Sequence, residues 1–219
     1  MTLTQARLAA VVFDCDGTLV DSEPLARVAW EWSLAPHGYE IDDAEYAGLI
    51  GLPYLRVHAF FAERVPGLAA PDAFWEGYAG RLFELIDTEL EPFEDALETV
   101  RGLAEHGLAV AVASSSPRAR LDRTLARAGL TDAFAVTVAG DEIAHGKPAP
   151  DMFLAAAAEL GIEPARCAAI EDSAPGVAAG LAAGMTTVGI ARAPEDMEAL
   201  AAAHVVLERL SAEAVLAAG

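Results

Sequence analysis

Short apolar runs and longer stretches with helical spacing alternate along residues 1–20 and 91–219. The apolar runs end in polar turn residues, a pattern typical of buried strands in a parallel sheet. Because helical stretches separate the runs, we expect an α/β core with a doubly wound parallel sheet and right-handed crossovers. The predicted strands are 8–14, 108–113, 134–139, 167–170, 186–190 and 204–207, and a helix is predicted near 194–203, between the last two strands.

Residues 21–90 show a different pattern, in which apolar positions recur at helical spacing without a convincing strand. Pro53, Pro66 and Pro71 break this stretch into several helices. It also contains all three tryptophans of the chain, which we interpret as part of a helix-bundle core rather than a ligand box. The pattern therefore predicts an all-helical domain at 21–90, inserted into a core domain formed by 1–20 and 91–219.

Composition narrows the possible partners. The chain has 219 residues and a net charge of −20, so it lacks the basic footprint that nucleic-acid binding requires. We find neither an apolar run of 18 residues nor a basic-then-apolar leader, and we expect no membrane span and no secretory signal. Cys15 and Cys167 fall at opposite ends of neighbouring predicted strands, too far apart for a disulfide. Together these features predict a cytoplasmic protein.

The first predicted strand runs directly into Asp14 and Asp16, followed by Gly17 and Thr18. Side chains two positions apart in an extended chain point to the same side, so both carboxylates are expected to face one pocket. Two carboxylates this close can bind a hard cation, divide nucleophilic and acid–base roles, or only cap the next turn. The first strand alone leaves all three interpretations open.

Polar clusters follow three further predicted strands, and the carboxyl ends of parallel strands share one edge of the sheet, where open α/β sheets bind ligands. Crowded acids repel and need a cation, and oxygen ligands without a Cys/His cluster favour Mg²⁺. Serine hydroxyls and the single lysine of the chain suit a phosphate. The clusters therefore predict a phosphoryl-transfer site built from Ser114, Ser115, Ser116, Lys147, Asp151, Glu171 and Asp172.

With these clusters in place, the sequence resembles the haloacid dehalogenase superfamily of aspartate-nucleophile phosphotransferases. Four motifs carry the resemblance in the right order: Asp14-x-Asp16-Gly-Thr, Ser114, Lys147-Pro-x-Pro-Asp151 and Glu171-Asp172-Ser-x-x-Gly176. The helical insert looks like the cap of the first cap class. The resemblance to the β-phosphoglucomutase and phosphoglycolate or sugar-phosphate phosphatase branch covers essentially the whole chain, and it implies a Rossmann-like core with a helical cap.

The resemblance also implies a role for each motif residue. Asp14 would attack phosphorus and form an aspartyl-phosphate, and Asp16 would protonate the leaving oxygen and later deprotonate water. Mg²⁺ would be held by Asp14, by the backbone carbonyl of Asp16 and by Asp172, with Glu171 supporting a bound water. Ser114 and Lys147 would hold the phosphoryl oxygens.

The branch of the family sets the expected reaction. True dehalogenases lack the second aspartate, so Asp16 argues against dehalogenation. Mutases of this branch carry a histidine and a lysine where this chain has Ala26 and Pro117, and their cap arginine is displaced here, near Arg56. We therefore expect a Mg²⁺-dependent phosphatase of a small phosphomonoester. A β-phosphoglucomutase-type isomerase and a non-catalytic phospho-ligand binding module are the alternatives.

Substrate contacts are the least constrained part of the prediction. Near the core motifs we expect Thr18, Ser115 and Ser116 to contribute. For the distal part of a small phosphorylated metabolite the candidates are Arg56, His58, Arg81 and Arg118, with ordinary exposed helix charges as the competing interpretation. We expect a monomer or small homo-oligomer.

Overall fold

The computed structural model describes residues 8–219, and the chain divides into two compact units. One comprises Met1–Asp21 together with Glu91–Gly219 and is called here the α/β unit; the other, Ser22–Leu90, is called the helical unit. Residues 1–7, which the sequence assigns to the core domain, lie outside the described residues. The interpretation of the helical unit as a cap stays a prediction.

Six strands form one parallel sheet in the described part of the α/β unit: β1 (Ala10–Phe13), β2 (Ala109–Ala113), β3 (Val136–Val138), β4 (Cys167–Glu171), β5 (Thr186–Ile190) and β6 (Val205–Leu207). Their spatial order is β3-β2-β1-β4-β5-β6, so the chain reverses its direction of winding between β1 and β4. Ligands in open α/β sheets bind at such a switch point. The predicted parallel sheet is confirmed.

Ten helices occur in the described residues: α1 (Glu23–Leu34), α2 (Asp43–Ala47), α3 (Tyr54–Ala62), α4 (Pro71–Glu89), α5 (Glu94–Glu105), α6 (Arg118–Arg127), α7 (Asp151–Leu160), α8 (Ala174–Ala182), α9 (Asp196–Ala199) and α10 (Ala212–Ala218). The first four lie in the helical unit and the other six in the α/β unit. Short 3₁₀ turns occur at Ala35–His37, Gly140–Glu142 and Pro164–Arg166. The α/β class is therefore confirmed as well.

Strand β1 lies in the middle of the sheet, and all four of its residues are buried. Its alternate residues Ala10 and Val12 pack in one apolar cluster with Phe153 of α7 and Ala179 of α8. A strand covered in this way has a continuous apolar sequence, as parallel sheets require. The polar residues that follow β1 consequently begin at the edge of a dense core, where their positions are tightly constrained.

Three elements are clearly shorter than the sequence predicts, and the first of them is the strand expected at 8–14, which is limited to Ala10–Phe13. The helix expected at 194–203 is limited to Asp196–Ala199, because the chain must turn to pair β6 with β5. The amide of His204 already donates a hydrogen bond of 2.9 Å to the Thr187 carbonyl. The strand expected at 134–139 is limited to Val136–Val138, at the edge of the sheet, where only one neighbour, β2, extends it.

The helical unit has an aromatic interior centred on Trp30, which is 3% exposed. Four rings lie with centroids 4.5–5.6 Å from its ring: Tyr54, Phe61, Phe74 and Tyr78. The expectation of an aromatic bundle core therefore holds for Trp30. It does not hold for Trp32, which is 54% exposed.

The two cysteines are placed as the sequence predicts. Cys167 is in register with Ala10 at the start of β1, whereas Cys15 follows the other end of that strand. Both thiols are free and buried. The prediction that they form no disulfide is confirmed.

Among residues 8–219, no helix combines the length and the apolar character needed to cross a membrane.

Candidate active site

The segment after β1 contains Asp14 and Asp16, the two predicted catalytic acids. The Asp14 amide donates a hydrogen bond of 2.9 Å to the Ile170 carbonyl, which continues the pairing of β1 with β4 up to the carboxylate. The chain then turns at Gly17, whose φ of 79° lies in the left-handed region. A Cβ at Gly17 would overlap the Asp172 carboxylate. Glycine therefore lets the segments that follow β1 and β4 approach each other.

Lys147 is enclosed by the carboxylates of Asp14 and Glu171. Its side chain is 7% exposed, and that of Glu171 is fully buried. Burial alone would lower the pKa of Lys147, but the charges of the two carboxylates outweigh burial and raise this pKa, so the ammonium is charged at neutral pH. Burial also raises the pKa of Asp14 well above its usual value; Lys147 opposes this effect, and Glu171 and Asp172 reinforce it.

Asp172 follows Glu171 at the end of β4 and completes the group of acids. Its Oδ1 accepts a hydrogen bond of 3.2 Å from the Thr18 hydroxyl. Burial, followed by the charge of Glu171, raises the pKa of Asp172 to about 8. Glu171 Oε2 accepts hydrogen bonds from the Ser173 amide (3.2 Å) and hydroxyl (2.9 Å), and a Cβ at Gly176 would overlap the Glu171 carboxylate. These contacts hold both acids in place.

The three acids fit a divalent cation. Carboxylate oxygens of Asp14, Glu171 and Asp172 all lie within 4.8 Å of one another. Burial is the main cause of the raised pKa values of Asp14 and Asp172, and the neighbouring carboxylates add to it, so a further positive charge is needed to keep both acids ionised. Oxygen ligands of this kind are the ones that Mg²⁺ and Ca²⁺ prefer. The residues present are therefore suited to hold Mg²⁺, and the identity of the ion stays a prediction.

Asp16 lies next to the segment that follows β2. Its Oδ2 accepts a hydrogen bond of 2.7 Å from the Ser116 hydroxyl, and its Oδ1 accepts one of 2.7 Å from the Arg120 guanidinium in the first turn of α6. Because its carboxylate is engaged there, the expected contribution of Asp16 to a metal site would come from its backbone carbonyl. The sequence did not point to Arg120, since a helical arginine outside the motifs gives no signal of its partner.

The three predicted phosphate-binding serines differ in their environments. Ser114 is fully buried, and its amide donates a hydrogen bond of 3.0 Å to the Val138 carbonyl. Its hydroxyl accepts one of 3.1 Å from the Ser116 amide. Ser115 is exposed. The structure thus brings Ser116 to Asp16, whereas phosphate binding by Ser114 and Ser115 stays a prediction.

Arg118 is held by protein partners on neighbouring elements. Its guanidinium forms ion pairs with Glu142 (2.7 Å) and Asp122 (3.0 Å) and donates to the Thr137 hydroxyl and carbonyl (both 2.8 Å). These contacts connect α6 with β3 and the turn that follows it. The structure does not bring Arg118 into the group of acids, and its predicted role in substrate binding stays a prediction.

The remaining predicted contacts, Arg56, His58 and Arg81, lie in the helical unit. Arg56 is exposed on α3. His58 is 3% exposed, with its Nε2 2.9 Å from the Ala69 carbonyl, and Arg81 forms an ion pair of 2.7 Å with Glu84. Arg56 is the one of the three whose side chain is largely accessible, and contact with substrate stays a prediction for all of them.

A further arginine outside the motifs, Arg192, reaches the segment that follows β1. It comes two residues after the end of β5 and donates hydrogen bonds to the carbonyls of Gly17 (3.3 Å) and Thr18 (2.6 Å). Polar residues that directly follow predicted strands were selected from the sequence as candidate site residues. The same criterion could have selected Arg192, because Arg192 is the first polar residue after the fifth strand.

Comparison with known proteins is consistent with this site. The family of haloacid dehalogenase-like hydrolases matches residues 8–184. The chain is 34% identical to the fructose-1-phosphate phosphatase YqaB of Escherichia coli over 186 residues, which is 84% of this chain and 97% of that protein. It is 31% identical to the bifunctional riboflavin kinase/FMN phosphatase of Arabidopsis thaliana over 92% of its own length, and it spans about half (53%) of that protein.

Solved structures agree with these sequence matches. The crystal structure of a protein described as a possible β-phosphoglucomutase from Thermotoga maritima superposes with a TM-score of 0.80 at 25% identity, covering 96% of this chain and 97% of that one. The resemblance inferred from the four motifs, including its branch, is therefore confirmed.

Proposed function

Since the chain belongs to the haloacid dehalogenase-like hydrolases, we propose that it is a Mg²⁺-dependent phosphatase that cleaves a small phosphomonoester through an aspartyl-phosphate on Asp14. The observation that carries this proposal is the buried contact of Lys147 with Asp14 and Glu171, next to Asp172. A phosphoryl group brings negative charge to a carboxylate nucleophile, so positive charge must be fixed beside that nucleophile before the two can approach.

In the first step an oxygen of the Asp14 carboxylate attacks phosphorus, and the bond from phosphorus to the alcohol oxygen breaks. Asp16 gives its proton to that leaving oxygen. Lys147 supports the step because its raised pKa keeps the ammonium charged beside Asp14. The product is an acyl phosphate on Asp14 and a free alcohol.

In the second step Asp16, now ionised, accepts a proton from water as the water oxygen attacks phosphorus. The bond from phosphorus to the Asp14 oxygen breaks, and inorganic phosphate leaves. Forming an easily hydrolysed acyl phosphate divides one difficult step into two easier ones. The hydrogen bonds from Ser116 and Arg120 support this second step, because they fix the Asp16 carboxylate and favour its ionised form, which is the form that accepts a proton from water.

The proposed Mg²⁺ ligands are the side chains of Asp14 and Asp172 and the backbone carbonyl of Asp16, with Glu171 beside them. When bound, the cation would supply Lewis-acid neutralisation of the phosphoryl charge. Lys147 and Ser114 would orient the phosphoryl oxygens, and Thr18, Ser115 and Ser116 are further candidates for polar contacts to the substrate.

For the substrate we propose a small phosphorylated metabolite such as a sugar phosphate or phosphoglycolate. The similarity to a fructose-1-phosphate phosphatase over 84% of the chain supports this class. In the helical unit Arg56, His58 and Arg81 are the candidate contacts for the distal part of the substrate. We further propose that the enzyme works in the cytoplasm, which two free, buried cysteines support.

The test is phosphate release with Mg²⁺ across a panel of phosphomonoesters that includes β-glucose 1-phosphate, with glucose 6-phosphate measured in parallel. We expect inorganic phosphate from one or more small esters and none from Asp14→Asn. Glucose 6-phosphate formed without phosphate release would show a mutase instead. Failure of every ester with fully folded, Mg²⁺-loaded protein would overturn the phosphatase proposal.

A further inference from the structure

Arg192 joins three parts of the α/β unit. Besides the carbonyls of Gly17 and Thr18, its guanidinium binds both carboxylate oxygens of Asp95 at 2.8 and 2.9 Å. The carbon of the guanidinium lies 3.8 Å from the centre of the Phe93 ring. Each of the three guanidinium nitrogens has an acceptor: Nη1 contacts both Asp95 oxygens, Nε contacts Gly17 and Nη2 contacts Thr18.

The partner of this arginine is itself fixed. Asp95 lies in the first turn of α5 and is 7% exposed. Its Oδ2 also accepts a hydrogen bond of 2.8 Å from the Leu210 amide, just before α10. A buried carboxylate with an arginine and an amide on it cannot turn away without leaving a buried charge unpaired. The position of Asp95 is therefore fixed independently of Arg192, and Asp95 holds the guanidinium in place.

The two carbonyls that Arg192 holds belong to consecutive residues in the turn after Asp14 and Asp16. One of these residues, Thr18, donates its hydroxyl to Asp172, and the other, Gly17, has its backbone against the same carboxylate. If either carbonyl changes direction, the peptide plane that contains it rotates as well. The guanidinium therefore fixes the side of the turn that faces Asp172.

We propose that Arg192, anchored by Asp95, is a positioning residue for the metal and nucleophile segment, setting the orientation of Asp172 through Gly17 and Thr18. The proposal rests on the proposed function, because the benefit of this orientation is Mg²⁺ binding. Arg192 acts on the reaction without touching the proposed ligands. Changes to residues that orient metal ligands commonly reduce metal affinity or activity by about 10–100-fold.

The test compares Arg192→Lys and Arg192→Ala with the wild-type protein. Mg²⁺ binding is measured by calorimetry without substrate, and kcat and KM are measured with saturating Mg²⁺. We expect the Mg²⁺ dissociation constant to rise about 10-fold in Arg192→Lys and more in Arg192→Ala. We expect kcat to fall by a similar factor, whereas KM for the ester stays within about twofold, because Lys147 and Ser114, which would orient the phosphoryl oxygens, are not contacted by Arg192.

An intermediate variant, Asp95→Asn, keeps an acceptor for the Leu210 amide but removes the charge that anchors the arginine. Its Mg²⁺ affinity should lie between those of wild type and Arg192→Lys. Arg209→Lys is the matched control, since Arg209 contacts Glu98 at 3.4 Å on the surface of the same unit. It should bind Mg²⁺ as the wild type does.

Val215→Ala separates positioning from general loss of stability, because Val215 is fully buried in α10 and contacts neither Arg192 nor the turn in any hydrogen bond or ion pair. Mg²⁺ affinity in Arg192→Lys equal to that of wild type would overturn the proposal, and so would an equal loss in Val215→Ala. If the wild type binds Mg²⁺ but releases no phosphate, the phosphatase proposal fails, and the Mg²⁺ affinities of the variants still test the positioning role of Arg192.

Discussion

Charged groups occupy the interior of the α/β unit, where the side chains of Asp14, Lys147 and Glu171 are at most 9% exposed. The interior of the helical unit is apolar, with a group of aromatic rings around Trp30, and its ion pairs, such as Arg27 with Glu31, lie on partly exposed surface. Burying charge costs free energy unless the charges are paired. The buried charges therefore support the proposal that the chemistry takes place in the α/β unit.

Exposed apolar side chains show the opposite distribution. Of the seven large ones in the described residues, five lie in the helical unit: Val28, Trp32, Ile50, Leu52 and Leu55. The other two, Leu154 and Met197, lie in the α/β unit. Apolar side chains can contact a substrate but cannot transfer protons or bind a metal ion. We therefore expect substitutions in the helical unit to affect stability and substrate preference. Substitutions in the α/β unit should affect catalysis.

The largest effect is expected from Asp14→Asn. Removing the nucleophile should reduce kcat by about 10⁴-fold or more. Because burial raises the pKa of Asp14, the charged side chain is an unfavourable one to bury, and asparagine should leave the unfolding temperature unchanged or higher. Phosphate release and thermal unfolding measured on the same preparation check both points. Retention of a tenth of the activity would refute the role of Asp14.

The counterpart in the helical unit is Trp30→Ala. Loss of the central ring should lower the free energy of unfolding of this unit by about 3–5 kcal/mol, since it removes contacts to four other rings and leaves a cavity. Mg²⁺ binding, measured by calorimetry at a temperature where the protein is folded, should be unchanged. A parallel loss of Mg²⁺ affinity would contradict the division between the two units.

Replacing the buried lysine tests whether its charge is used. In Lys147→Met we expect kcat to fall by about 10²–10³-fold, because a fixed positive donor beside the phosphoryl group is lost. Arg27→Met in the helical unit is the control, since Arg27 pairs with Glu31 and Asp43 at the surface. Steady-state kinetics of both variants should show an effect only for Lys147; similar rates in the two would argue against the assignment.

Stabilisation by Mg²⁺ should depend on pH. Burial raises the pKa of Asp172 from 3.8 to about 8, so without metal the folded state binds more protons than the unfolded state between these values. The free energy of unfolding of the metal-free protein should therefore fall as pH rises from about 4 towards about 8. Protons compete with Mg²⁺ for ionised carboxylates, so the increase in unfolding temperature caused by Mg²⁺ should be larger near pH 8 than near pH 5.

Added Mg²⁺ at about 100 times its dissociation constant should contribute about 2.7 kcal/mol at the higher pH. Asp172→Asn provides the control for the metal-free protein, because it removes the titrating group and should weaken the pH dependence of the free energy of unfolding without Mg²⁺. If Mg²⁺ raises the unfolding temperature more at low pH than at high pH, the prediction is wrong.

The smallest effect is expected from Arg56→Ala. Arg56 is exposed on α3, so we expect the free energy of unfolding to change by no more than about 0.5 kcal/mol. If the helical unit selects the substrate, kcat/KM for the preferred ester should fall several-fold, whereas cleavage of p-nitrophenyl phosphate should persist. Equal losses for both substrates would assign Arg56 to the common chemistry instead of to selection.

The sequence could predict the sheet and the group of acids because both depend on local patterns. Buried parallel strands have to be continuously apolar, so the polar residues that end them, such as Asp14 and Asp172, are visible without knowledge of the fold. Lys147 was also visible in the sequence, because it is the single lysine of a chain that has 13 arginines. Gly17 and Gly176 were recognised as motif members, and the structure adds the steric reason.

Partners distant in sequence could not be predicted. Arg120 contacts Asp16 across 104 positions, and Arg192 contacts Thr18 across 174, so neither pairing leaves a periodic signal. The burial of His58 was missed because a polar side chain was expected at the surface, although His58 lies beside Val57 and three positions before Phe61 on the buried face of α3. The shortened helix Asp196–Ala199 was missed because the pairing of β6 with β5, rather than local propensity, ends it.

The central claim, that the buried charges of the α/β unit make Asp14 a nucleophile, is tested most directly by trapping its phosphorylated form. The Mg²⁺-loaded enzyme is mixed with a cleaved phosphomonoester, quenched rapidly in acid and reduced with borohydride, which converts an aspartyl-phosphate to homoserine. Mass spectrometry of the peptide containing Asp14 should then find homoserine at position 14 in the wild type and none in Asp14→Asn. Homoserine at another aspartate during active turnover would contradict the account.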